Sequence, residues 1–253
     1  MSGLRESNFR RIYIALKADF ILTIILPLVF FVLLFILDQQ LRRAGLNSND
    51  IDLKEANHVS GLFPELLYAY LVSSFCASGI CSMLAVSGLS EAENCSLWLR
   101  RSRKWFTGCM LMNAVAMAVR IVHISFILSG YTGFLLSLYP AAQGFTLALH
   151  GGAAHALMKG YGDVLESIGA QESSLRIRSF SKWITISYAA FLAAYIAFMT
   201  DLYPGDESFG LVLLLLVLFV LTLFFWLIVR YKALRYARMT WLTLADISDK
   251  VIQ

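Results

Sequence analysis

Six stretches of this chain are apolar for so long that they dictate its surroundings: residues 20–37, 64–86, 105–128, 134–158, 183–200 and 209–229. A helix needs about 17–25 mostly apolar residues to cross a hydrocarbon core. Their length, and the absence of strict two-residue alternation, predicts helices and not barrel strands. Composition agrees, with 58% hydrophobic and 15% charged residues over 253 positions. A soluble domain carries about 45–50% apolar and about 25% charged residues. The expected fold class is all-α, a single polytopic membrane domain over 1–253. The first span is not expected to be a cleaved signal, because its apolar run is too long and Asp38-Gln39-Gln40 is no small-residue cleavage site.

Lys and Arg set the expected orientation. Of 21 such residues, 17 fall in four segments on one side. These are Arg5, Arg10, Arg11 and Lys17; Arg100, Arg101, Arg103 and Lys104; Lys159, Arg176, Arg178 and Lys182; and Arg230, Lys232, Arg235, Arg238 and Lys250. The other side holds Arg42, Arg43 and Lys54, while Arg120 lies within a span. The positive-inside rule then places both termini in the cytoplasm. Trp98, Trp105, Trp183, Trp226 and Trp241 fall near the same side, where aromatic belts settle. The net charge of +4 is therefore read as topology, and no nucleic-acid partner is expected. Helical stretches after each even-numbered span, at 87–104, 159–181 and 231–253, are expected to be amphipathic cytoplasmic helices.

Lipid gives helices no hydrophobic reason to associate, so small residues mark where backbones meet. Gly144, Ala148, Gly152, Ala156 and Gly160 recur every four residues in the fourth span, and Ser74, Ser78 and Ser82 form a row in the second. Ala189, Ala193 and Ala197 do so in the fifth. Spans two to five are expected to form the packed centre, with the Leu- and Phe-rich first and sixth spans facing lipid. Pro27 and Pro140 are expected to bend their helices. The four cysteines match no metal-binding spacing, and no disulfide is expected.

Polar residues at membrane depth are site candidates by default. The third span carries Asn113, Arg120 and His123, and the fourth carries Gln143 and His150. Counted inward from the ends near 128 and 134, Arg120 lies about 12 Å deep and Gln143 about 14 Å. Asn113 lies about 22 Å deep and His150 about 24 Å. A polar seam between these two helices is expected, pairing Arg120 with Gln143 and Asn113 with His150. Arg120 stays charged and has no acid at its level, so it either reaches Glu65 or Asp201 or binds an anion or a lipid phosphate. Haem is disfavoured, since His123 at about 8 Å and His150 at about 24 Å cannot ligate one iron. No cofactor and no catalytic residue is expected, as no HExxH, GxSxG or CxxC is present.

The sequence thus points to a non-enzymatic membrane protein. The first reading is an anchoring or scaffold subunit of a membrane complex. The alternative is a small channel or transporter using Arg120, alone or as a homo-oligomer. Expected partners are the lipid bilayer and a protein partner or second copy, met through spans 2–5 or the cytoplasmic helices.

Overall fold

The computed structural model describes the backbone of residues 6–43, 63–128, 135–201 and 209–252. Six long α-helices fill them: α1 (Glu6–Arg43), α2 (Phe63–Ala92), α3 (Leu97–Leu128), α4 (Leu135–Ser167), α5 (Gln171–Asp201) and α6 (Phe209–Ile252). At about 1.5 Å per residue they run about 45–66 Å, well beyond the roughly 30 Å of hydrocarbon. Among the described residues, four carry a stretch long and apolar enough to cross a membrane, within Glu6–Leu33, Val72–Cys95, Gln171–Ala197 and Leu213–Ile247. The chain is an all-helical membrane protein.

The stretches expected as separate cytoplasmic helices are helical but differently organised. Residues 231–252 continue α6 without a break. Residues 87–104 comprise the end of α2, a 3-10 turn at Glu93–Cys95 and the start of α3. Residues 159–181 turn a corner from α4 into α5. The physical reason is that no helix-ending signal intervenes where the apolar run stops, so backbone hydrogen bonding carries on into water. α1 likewise passes through Pro27 as one helix.

Both junctions at this basic end are closed by local chemistry. Ser96 is extended (φ −158°, ψ 138°) and its Oγ accepts a bond from the Trp98 amide at 3.0 Å, capping α3. At the α4–α5 corner Gly169 takes φ +84°, which favours glycine. The Ala170 amide then bonds the Leu165 carbonyl at 2.8 Å and the Gly169 amide bonds the Glu166 carbonyl at 3.0 Å, the Schellman pattern. Asp163 ties the two junctions together: it accepts from the Ser96 hydroxyl at 2.5 Å and from Arg178 at 2.6 Å.

Each helix packs on its chain neighbour, and α1 closes on α6, so the six form a ring. The first and sixth spans are exposed over most of their described residues, as Phe31 and Leu221 show, and α1 and α6 meet closely at the basic end beyond those spans. Tyr13 stacks on Trp241 at 5.5 Å and the Trp241 indole donates to Glu6 at 2.9 Å.

The core is concentrated at the basic end. Phe9, Ile12, Leu89, Leu99, Leu157, Tyr161, Leu165, Ile177 and Ile184 are fully buried there. Moving away from it, the last buried side chain is Ala15 in α1, Cys81 in α2, Tyr188 in α5 and Trp226 in α6. Only α3 and α4 carry burial farther, to Ala116 and Gly144. Beyond those levels neighbours still touch, as Tyr70 donates to the Leu26 carbonyl at 3.1 Å and Phe191 meets Phe219 at 5.5 Å, but no described side chain is buried.

Candidate functional site

At the level where burial stops, the ring holds a charged pair. Asp19 is one turn outward of Ala15 on α1, and Arg230 is one turn on the core side of Trp226 on α6. Arg230 makes an ion pair with Asp19 and donates to Thr23 Oγ1 at 2.9 Å. Thr23 in turn donates to the Asp19 carbonyl at 2.7 Å, so one helical turn of α1 presents both acceptors. The guanidinium lies 4.6 Å from the centre of the Trp226 ring. The side chains are 12% and 23% exposed for Arg230 and Asp19, which sets this pair apart from the surface pairs at the basic end.

A small cavity of about 50 Å³ adjoins the pair, lined by Asp19, His150, Tyr188, Arg230 and the apolar walls of Phe20 and Phe106. A water needs about 10–15 Å³ measured this way, so a few fit. His150 Nε2 is buried beside this cavity without a partner among the described residues, and its ring lies 6.3 Å from Phe106. Guanidinium, carboxylate, imidazole and phenol thus line one space large enough for water. Such a set can hold a small polar or charged solute, or pass a proton along it.

The expected seam between the third and fourth spans is only partly what the structure shows. His150 faces the Asp19–Arg230 cavity. Asn113 donates to Ser78 Oγ on α2 at 3.2 Å, so it bridges α3 to α2. Gln143 is half-buried on α4. The side chains of Arg120 and His123 lie outside the described residues, as do those of Glu65 and Asp201. Of the serine row, Ser78 takes the Asn113 bond, Ser74 bonds its own helix at the Tyr70 carbonyl (2.7 Å), and Ser82 is buried.

The small-residue row of α4 does not serve one interface. Every fourth residue advances about 40° past a full turn, so sixteen residues wander by about 160°. Gly144 accordingly faces α5, where an added Cβ would meet Leu192 at 3.4 Å. Gly152 faces Trp105 on α3 at 3.1 Å, and Gly160 faces Leu99 at 2.5 Å. Between them Ala148, Gly152 and Ala156 line an open groove of about 700 Å³ shared with α3 and α5. Tyr188 stands between this groove and the polar cavity, lining both.

Sequence reasoning missed Asp19 and Arg230. It counted Arg230 among the topological charges and gave Asp19 no role, because the pair spans 211 positions and shows only once the ring is known to close. Comparison with protein-family models, with curated proteins and with solved structures finds no match. Fold and site therefore define a class: an all-helical membrane protein with an ion pair inside its bundle.

Proposed function

We propose that this chain is a non-enzymatic membrane protein that crosses the bilayer six times with its basic end in the cytoplasm. In this reading it is a small channel or transporter, alone or as a homo-oligomer, handling a small charged solute at Asp19 and Arg230. One observation carries this reading: the largely shielded ion pair, beside a His150 Nε2 that has no partner among the described residues, lies at the level where buried side chains give out on α1 and α6. The length of α3 and α4, which match their neighbours, supports six crossings in this reading. The 17 basic residues at one end support the orientation.

The scaffold reading is the weaker one. It relies on the basic-end helices docking a partner, yet Trp241, Leu244, Leu157 and Tyr161 are packed into the chain's own core.

Flux into proteoliposomes tests the proposal, with chloride, inorganic phosphate, potassium and protons as probes. The expected result is passage of at least one probe above protein-free vesicles, lost in Arg230→Gln and in Asp19→Asn. Absence of flux for all four with well-folded, reconstituted protein, or flux unchanged in both variants, overturns it.

A further inference from the structure

We propose that the groove between α3, α4 and α5 is a binding site for an anionic phospholipid, with its phosphate held by Arg101 and Lys159. The groove is on the outer surface of the bundle and has the size of a ligand site, about 700 Å³. Its floor is small residues of α4 (Ala148, Gly151, Gly152, Ala156), and one rim is the exposed indole of Trp105. Floor and rim are apolar and lead toward membrane depth, as an acyl chain requires.

The basic-end mouth of the groove is different in chemistry. The Arg101 guanidinium stands 4.7 Å from the centre of the Trp98 ring, and the Lys159 ammonium 4.2 Å from the same centre. Two like charges are thus gathered on one aromatic ring. Neither has an acidic partner among the described residues, whereas nearby Arg103 is paired with Glu93 at 2.7 Å and Arg178 with Asp163 at 2.6 Å. An anion at this mouth supplies the counter-charge that no described carboxylate provides. The rim polar groups, His155 and Thr185, bond each other at 2.9 Å and leave Arg101 as the groove's charged lining residue, with Lys159 against the same Trp98 ring. Aromatic rings at this level mark a membrane interface, which is where a lipid phosphate lies. Basic pockets between membrane helices suit anionic headgroups for this reason. Charge complementarity at one end and an apolar trough at the other together select a lipid over a free anion or a soluble peptide.

Native mass spectrometry of the protein in mild detergent, titrated with dioleoyl phosphatidylglycerol or dioleoyl phosphatidylcholine, tests this. The expected result is preferential retention of phosphatidylglycerol. Joint replacement Arg101→Gln and Lys159→Gln should weaken that retention on the order of ten- to thirty-fold, with phosphatidylcholine little changed. The charge-preserving pair Arg101→Lys and Lys159→Arg should retain phosphatidylglycerol, which separates lost charge from lost folding. Ala148→Phe, which fills the trough, should reduce both lipids. Equal retention in the double Gln variant overturns the proposal. So does displacement of the lipid by millimolar inorganic phosphate, which would make the site one for a free anion. Cross-linking of Ala148→Cys chains to one another in phosphatidylglycerol nanodiscs would assign the groove to a second copy instead.

Discussion

The two halves of the ring are made by the same six helices and are packed quite differently. At the basic end each helix contributes side chains with almost no exposure; beyond Ala15, Cys81, Tyr188 and Trp226 the four helices concerned contribute none among the described residues. The difference follows from solvent. Helices that project past the hydrocarbon meet water, where burying a Leu or Phe is favourable by about 1.5–3 kcal/mol. Inside lipid the tails are as apolar as the side chains, and that driving force is gone. The basic end is therefore a conventional protein core, while the outer half is a wall held by individual contacts such as Asn113 with Ser78 and Tyr70 with Leu26.

Paired substitutions in the two halves can break this contrast. The largest effect is expected at the boundary, where Arg230→Leu leaves Asp19 without its partner and should cost on the order of 3–5 kcal/mol. Combining it with Asp19→Leu should recover much of that loss in a thermal unfolding assay in detergent. Recovery of nothing would mean the pair is not coupled. Next, Leu157→Ala in the core should cost about 2–5 kcal/mol, while Leu214→Ala, exposed in the outer half, should stay within about 0.5 kcal/mol. Equal losses would show that both halves are packed alike. Within α2 alone, Gly88→Ala places a Cβ 2.8 Å from the Asn8 carbonyl oxygen and should destabilise by about 1–3 kcal/mol. Gly79→Ala meets nothing within 4 Å and should gain about 0.5–1 kcal/mol from helix propensity. A gain of similar size is expected at Tyr161, whose buried hydroxyl has no partner among the described residues and whose ionisation burial pushes upward. Tyr161→Phe should stabilise by about 1 kcal/mol, and a loss would reveal a bond, through water or otherwise, at that hydroxyl.

The contrast also explains what the residues alone disclosed. Apolar runs and charge bias are local properties, so the helices and the basic end were legible. The small-residue row in α4 was legible as a row, but its target was not, because the winding of Gly144, Gly152 and Gly160 from α5 to α3 depends on where those neighbours stand. His150 was legible as a polar group at depth, and its company was not. Depth counting compared it with Asn113 across one short link, whereas its neighbours Asp19 and Arg230 come from the two ends of the chain. Continuity of the helices past the membrane was missed because a change from apolar to charged residues ends a span without ending a helix.

Ring closure also orders the protein's assembly in time. Most of the helix packing joins a helix to the one made just before it, so α1 through α5 can pack as they emerge. The α1–α6 seam must wait longest, since Asp19 and Arg230 are 211 residues apart. Until Arg230 has been made, Asp19 stands at the membrane without its counter-ion. A chain truncated before α6 is therefore not merely shorter: it carries an uncompensated carboxylate at the edge of its first apolar span, a chemical mark that distinguishes an unfinished molecule from a finished one.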